Sequence, residues 1–125
     1  MARLREIVID AAHAAPLARF WAAALDGYQV RAYDDAEIAR LAELGHTPDT
    51  DPTVAVDGPG PTIFVQQVPE PKVTKNRVHV DLETGDRPAE VQRLTALGAS
   101  LLDSYDDWTV MLDPEGNEFC VSDRG

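Results

Sequence analysis

The hydrophobic pattern of the chain alternates between a period typical of strands and one typical of helices. Leu4 to Asp10 is rich in β-branched residues, and the apolar residues from Leu17 to Leu25 recur at helical spacing behind Pro16. Along the whole chain the pattern predicts helices at 16–25, 35–45 and 87–97, and strands at 4–10, 28–32, 53–56, 62–68, 76–82, 99–103, 108–112 and 118–122.

A proline-rich connector divides these elements into two halves with the same order. Residues 69–72 contain two prolines, which disfavour helix and favour an extended link. On each side of it the order is strand, helix and three strands, and the helix at 35–45 is an insertion in the first half only. The pattern therefore predicts an α+β fold over a single domain, 1–125, built from two βαβββ modules at about 1–68 and 75–125.

Composition narrows the classes of partner. A net charge of −11 repels phosphate backbones, so nucleic acid is not expected as a partner. The apolar runs are far shorter than the ~20 residues of a membrane span, and no cleavable leader is recognisable at the start. The single cysteine fits a reducing compartment, so we expect a cytoplasmic protein without a membrane partner. The acidic charge is interpreted as a solubility feature, with attraction of a cationic ligand as the alternative.

Three segments resemble a known family: Leu17–Gly27, Val65–Leu82 and Leu112–Val121. Together they are similar to the bacterial glyoxalase-like branch of the vicinal oxygen chelate superfamily, which includes glyoxalase, bleomycin resistance and dioxygenase proteins. The resemblance implies two βαβββ modules whose curved mixed sheets form a cleft. It also implies that modules close on each other within a chain or pair with a second chain, as a homodimer. Metal-using members hold a divalent ion there with histidines and glutamates from the first and last strands.

Strand alternation indicates which side chains face the cleft. In the strand at 76–82, Val78 and Val80 form the apolar face, so His79 is expected on the other side. The same alternation selects residues of the first and last strands, and the resemblance adds Gln66. Trp108 is interpreted either as a stacking wall of the cleft or as a core residue. The predicted ligand pocket contains Glu6, Gln66, His79, Trp108, Glu118 and Cys120.

This set carries few of the ligands that a catalytic metal requires. One histidine and one glutamate stand beside a glutamine and a cysteine, so no cofactor is expected; a divalent metal is the alternative, with Glu6 and His79 as weak candidates. Cys120 is interpreted as a small buried filler rather than a thiolate. Dioxygenase chemistry, which needs two histidines and a carboxylate, and glyoxalase I-type isomerisation are both disfavoured.

The expected function is binding of a small organic molecule in the cleft, with its conversion left open. Two alternatives stand beside it: a metal-free drug-sequestering protein of the resistance type, and a divalent-metal lyase or isomerase. If the chain is an enzyme, we expect a lyase or isomerase.

Overall fold

The computed structural model describes residues 1–124, which form three helices and eight strands in two compact units. The first unit, Met1–Pro71, contains β1 (Glu6–Ala11), α1 (Ala14–Ala24), β2 (Gln29–Val30), α2 (Asp35–Glu43), β3 (Thr53–Asp57) and β4 (Thr62–Gln67). The second unit begins at Lys72 and contains β5 (Asp81–Thr84), α3 (Arg87–Leu97), β6 (Ser100–Ser104), β7 (Trp108–Leu112) and β8 (Glu118–Asp123). Among residues 1–124, no helix combines the length and the apolar character needed to cross a membrane.

Each unit contains one four-stranded mixed sheet, and the two sheets have the same topology. The strand orders are β1-β4-β3-β2 and β5-β8-β7-β6. In each sheet the first strand of the unit pairs in parallel with the last, and the remaining pairs are antiparallel. The predicted α+β class and the repeated βαβββ order are confirmed, with α2 as the insertion. That both units form one domain stays a prediction.

The core of the first unit lies between α1 and its sheet. Seven residues of α1 are buried, among them Leu17 and Trp21. On β3 and β4 the cross-strand pairs Val54–Val65 and Val56–Ile63 are buried as well, because strand alternation places these four side chains on one face. Gly27, with φ 75°, lets the chain leave the helix in a conformation that other residues rarely adopt.

The insertion that carries α2 is closed at its base by polar contacts. Asp34 caps the helix by accepting a hydrogen bond from the Glu37 N–H at 2.8 Å. On either side of the insertion, the Tyr33 hydroxyl donates to Asp51 at 2.7 Å. Asp51 is buried and also accepts from the Thr53 N–H at 3.0 Å, so its carboxylate is satisfied on both oxygens.

The second unit has a smaller core under α3. Asp86 caps this helix by accepting from the Ala89 N–H at 3.1 Å, and Gly98, with φ 120°, ends it. Leu94 is the buried residue of α3, and the helix packs against β6 and β8. The sheet contributes a buried row to this core, consisting of Thr109, Met111, Phe119 and Val121.

The strand predicted at 76–82 is shorter in the structure, although the side chains alternate as expected. β5 starts at Asp81, and Val78, which was expected under the helix, is 80% exposed. Asp81 pairs with Cys120, so the residues before His79 would need partners before Glu118, where β8 begins. That part of the chain instead forms a turn, in which Asp113 accepts hydrogen bonds from the Glu115 and Asn117 N–H groups. Residues 76–78 therefore have no strand to pair with, whereas the Val80 carbonyl still accepts a hydrogen bond from the Cys120 N–H at 3.0 Å.

Candidate functional site

The face of the second sheet opposite α3, called here the helix-free face, carries a mixture of polar and half-exposed apolar side chains. Along β8, Glu118, Cys120 and Ser122 are half-buried and alternate with the buried Phe119 and Val121. The register places residues from both neighbouring strands beside this row. The neighbours on the helix-free face are Asp81, Glu83, Trp108, Val110 and Leu112.

His79, Asp81 and Cys120 form a compact group at the β5 side of this face. One ligand atom from each residue lies within 4.8 Å of the others. The His79 Nε2 and the Asp81 Oδ1 are 3.2 Å apart, and Asp81 is directly opposite Cys120 in the register. His79 and Asp81 are exposed, whereas Cys120 is half-buried, so the group is open to solvent on one side.

The electrostatics of this group raise the pKa of the cysteine thiol. Burial raises the pKa of the Cys120 thiol, and the charge of Asp81 together with a side-chain hydrogen bond to it raises that pKa further. The positive charge of Lys75 opposes the shift. The interpretation of Cys120 as a small filler rather than a thiolate stays a prediction.

Glu118 is held at the end of the same face by two donors. Lys72 Nζ lies 2.9 Å from one carboxylate oxygen, and the Asn76 N–H donates to the other at 2.6 Å. Burial would raise the pKa of Glu118, but the Asn76 N–H and Lys72 outweigh it, so the pKa is lowered. With both oxygens occupied and its pKa lowered, Glu118 is a poor proton acceptor and instead anchors the start of the second unit.

Trp108, which is on β7, lies at the opposite end of the helix-free face from Glu118. It is 41% exposed and stacks on Tyr105, with ring centroids 4.7 Å apart. The alternative that placed Trp108 in the core is therefore wrong. An exposed aromatic pair of this kind provides a flat apolar surface.

In the first unit, Glu6 and Gln66 also lie on a helix-free face, but at different ends of it. Glu6 is paired with Arg5 at 2.9 Å, whereas the Gln66 amide donates to Asp10 Oδ1 at 2.9 Å. Gln66 is opposite Asp10 in the register, so it lies four residues from Glu6 along the strands, or about 13 Å. The convergence of Glu6 and Gln66 with His79 and Cys120 on one surface stays a prediction.

The residue that sequence reasoning omitted from the pocket is Asp81. It shares the strand alternation of His79, and this signal could have selected it. The same alternation in β1 places Asp10 on the face of Glu6.

The three donors of the second unit fit a divalent ion of the zinc type. Zinc accepts imidazole nitrogen, carboxylate oxygen and thiolate sulfur, and its catalytic sites keep three protein ligands and one open position. Tetrahedral bonds of ordinary length place such donor atoms about 3.3–3.7 Å apart. Donor atoms that already lie within 4.8 Å of one another need only side-chain adjustments to meet this geometry.

The repeated βαβββ units with parallel first and last strands define the class of glyoxalase-like proteins. A model of the glyoxalase-like domain matches residues 6–122, and the chain belongs to this family. No curated protein matches the sequence significantly.

Solved structures with the same fold come from several organisms. The chain is similar to a glyoxalase/bleomycin resistance protein/dioxygenase family enzyme from Burkholderia phytofirmans, with a TM-score of 0.67, 15% identity and 98% of each chain covered. It is similar to a fosfomycin resistance protein from Mesorhizobium loti, with a TM-score of 0.65, 11% identity, and 98% of this chain and 91% of that chain covered. A trypanothione-dependent glyoxalase I from Leishmania major has a TM-score of 0.62 and 15% identity, over 98% of this chain and 87% of that chain.

Proposed function

We propose that the helix-free face of the second sheet binds a small organic molecule. The observation that carries the proposal is the group formed by His79, Asp81 and Cys120, which gathers an imidazole, a carboxylate and a thiol at one place. Beside the group, Val110 and Leu112 are half-exposed, and Trp108 is exposed further along β7. Sites for small molecules characteristically combine an apolar lining with a few convergent polar groups.

The charges around the group favour an anionic ligand. Residues 72–80 contain Lys72, Lys75 and Arg77 and no acidic residue, in a chain whose net charge is −11. Lys72 is engaged by Glu118, but the charge of Lys75 acts on Cys120 and is thus close to the group. This segment can attract an anion to its own side of the group, although Asp81 and Glu83 carry negative charge on the same face. The positive segment argues against the alternative function in which the protein sequesters a cationic drug.

A second candidate function is supported by the pair His79 and Asp81. A carboxylate 3.2 Å from one imidazole nitrogen orients the ring and leaves the other nitrogen available to accept or donate a proton. Proton transfer of this kind is what a lyase or an isomerase requires. If a divalent ion is bound by the group, it would supply Lewis-acid polarisation of a ligand oxygen.

A thermal-shift screen with anionic, neutral and cationic small molecules tests the proposal. We expect anionic compounds to raise the melting temperature, with a stabilisation of about 2.7 kcal/mol when a ligand is present at 100 times its Kd. The shift should shrink in Lys75→Gln and Arg77→Gln, which remove one positive charge each. Arg93→Gln is the matched control, because Arg93 lies on α3 and pairs with Glu90 at 2.5 Å.

Two results would contradict the proposal. A response confined to cationic compounds would favour the drug-sequestering function. An anion response that falls equally in Arg93→Gln and Lys75→Gln would show a general charge effect rather than a site beside Cys120.

A further inference from the structure

Residues 72–80, called here the strap, lead into β5 without forming a helix or a strand. The side chains of Val73 and Val78 in the strap are 82% and 80% exposed, so apolar packing contributes little to its position. At its end the Val80 carbonyl accepts a hydrogen bond from the Cys120 N–H at 3.0 Å. The course of the strap before that point therefore depends on polar contacts.

The Glu118 carboxylate holds the first part of the strap. One of its oxygens is 2.9 Å from Lys72 Nζ, and the other accepts a hydrogen bond from the Asn76 N–H at 2.6 Å. The side chain of Glu118 is 13% exposed. Hydrogen bonds to a charged group are stronger than neutral ones, and salt screens a partly buried pair less than an exposed one. A single side chain thus fixes two points of the strap.

The strap brings a positive charge to the helix-free face. Lys75 directly precedes Asn76, and its charge opposes the rise in the pKa of Cys120 that burial and Asp81 cause, so Lys75 lies close to the thiol. Glu118 and Cys120 are two residues apart on β8 and face the same side of the sheet, because side chains alternate along a strand. The carboxylate that binds the Asn76 N–H consequently determines how close Lys75 comes to Cys120.

We propose that Glu118 is a positioning residue, which holds the strap against the helix-free face and thereby places the Lys75 ammonium beside Cys120. Without the Glu118 carboxylate, Lys75 would be free to move away from the sheet. The inference deepens the proposed function and rests on it for the ligand, since a cation held in place is what an anion beside Cys120 would bind. Glu118 therefore favours the binding of an anion although it is negatively charged itself.

Alkylation of Cys120, the only cysteine of the chain, measures the effect of Lys75 without a known ligand. Iodoacetate is an anion and iodoacetamide is neutral, and both react with the thiolate by displacement of iodide. The ratio of the two rates cancels the thiolate fraction and reports how strongly an anion is attracted to Cys120. Lys75→Gln should lower this ratio about twofold in dilute buffer, and by less as salt is added.

The same substitution is then made in variants that lack one carboxylate. In Glu118→Ala the effect of Lys75→Gln on the ratio should vanish, because a released strap no longer holds Lys75 near the thiol. In Glu118→Gln the effect should be intermediate, since the amide oxygen can still accept from the Asn76 N–H. Glu83→Gln is the matched control. Glu83 is on the same face but opposite Ser122 on β8, so Lys75→Gln should keep its full effect there.

Limited proteolysis tests the release of the strap directly. Trypsin should cleave after Lys75 and Arg77 roughly tenfold faster or more in Glu118→Ala than in the parent, because one lost hydrogen bond to a charged group shifts an opening equilibrium by about tenfold. Glu83→Gln should be cleaved at the parent rate. Circular dichroism verifies the folding of each variant, and Glu118→Gln decides the test if Glu118→Ala does not fold.

The proposal is overturned if Lys75→Gln leaves the ratio unchanged in the parent, or lowers it equally in the parent and in Glu118→Ala. Equal cleavage of the strap in both proteins would overturn it as well. None of these results contradicts the proposed function, which is tested by the melting temperature of the parent with anionic compounds. Conversely, loss of the Lys75 effect in Glu118→Ala supports the positioning role even when no anionic compound stabilises the parent.

Discussion

The two units share strand order and pairing, yet their equivalent positions carry different chemistry. In the first unit Asp10 is opposite Gln66, and the amide donates a hydrogen bond to the carboxylate. In the second unit Asp81 is opposite Cys120, and His79 lies beside it. In the first unit a neutral amide is the partner of the carboxylate. In the second unit three side chains that could bind a metal lie together. One topology thus carries a hydrogen-bonded pair in one unit and a group of three possible metal ligands in the other.

The two units also differ in how much of their long helix is buried. In α1 seven residues are buried, but in α3 only Leu94 is. Burial of apolar surface stabilises a fold by about 25 cal/mol per Å², so the helix of the first unit contributes more than that of the second. A repeated fold therefore does not imply a repeated distribution of stability.

The largest expected effect comes from making the same substitution in both helices. Leu17 in α1 is 1% exposed and Leu97 in α3 is 38% exposed. Leu17→Ala should lower the free energy of unfolding by about 2–5 kcal/mol, because it opens a cavity in the core. Leu97→Ala should change that free energy by no more than about 0.5–1 kcal/mol. Urea unfolding of both variants measures the difference, and equal losses would refute the contrast in packing.

A second pair of substitutions compares the tyrosine–aspartate hydrogen bonds of the two units. Tyr33 donates to the buried Asp51 at 2.7 Å, whereas Tyr105 donates to the exposed Asp103 at 2.9 Å. Tyr33→Phe should lower the free energy of unfolding by about 1–3 kcal/mol, since a buried carboxylate oxygen loses its donor. Tyr105→Phe should have no measurable effect, because water replaces the lost hydroxyl.

The Tyr33 bond also predicts a response to alkaline pH. Burial raises the pKa of Tyr33, and the hydrogen bond to Asp51 raises it further, above the ordinary value of 10.0. The native state therefore keeps the proton where the unfolded state loses it, so the stabilisation is complete below pH ~10 and falls as the pH rises beyond that value. Hydrogen bonding to Asp103 also raises the pKa of Tyr105, but Tyr105 is exposed. Tyr33→Phe should therefore lose most of this alkaline decline, while Tyr105→Phe should retain it.

Most of the fold could be predicted from local pattern. The helix expected at 87–97 is α3 to the residue, because Asp86, Pro88 and Gly98 are independent signals at its ends. Only the last residues of the strand expected at 76–82 are a strand in the structure, since a strand also needs a partner and its partner begins only at Glu118. Local alternation carries no information about where a neighbouring strand starts.

Less of the candidate site could be predicted, for a related reason. Alternation and resemblance selected His79 and Cys120, but a ligand group is defined by distances between strands. Asp81 has the same alternation as His79, but only the register shows that it is opposite Cys120. Conversely, Glu118 was selected for the pocket, and only the structure shows that Lys72 and Asn76 occupy its carboxylate.

The smallest expected effects concern one hydrogen-bonded carboxylate in each unit and its contribution to stability at acidic pH. Hydrogen bonding to Arg31 lowers the pKa of Asp57 despite partial burial, and Thr62 assists. For Glu118, burial opposes the lowering that the Asn76 N–H and Lys72 produce. Both folded-state pKa values lie below the unfolded ones. Each group therefore stabilises the protein above its unfolded pKa, and this contribution is lost as the pH falls through the folded pKa.

Asp57→Asn and Glu118→Gln each replace one of these carboxylates by the corresponding amide, and each removes one of the two contributions. At neutral pH, Asp57→Asn should lower the free energy of unfolding by only about 0.2–1 kcal/mol, because its ion pair with Arg31 is screened by solvent. Glu118→Gln should lower it by more, because the Glu118 side chain is 13% exposed and that of Asp57 is 38% exposed. Urea unfolding from about pH 7 to about pH 3 should show each variant converging on the parent at the acidic end. A deficit that persists below the folded pKa would mean that the side chain stabilises its unit through packing rather than through its charge.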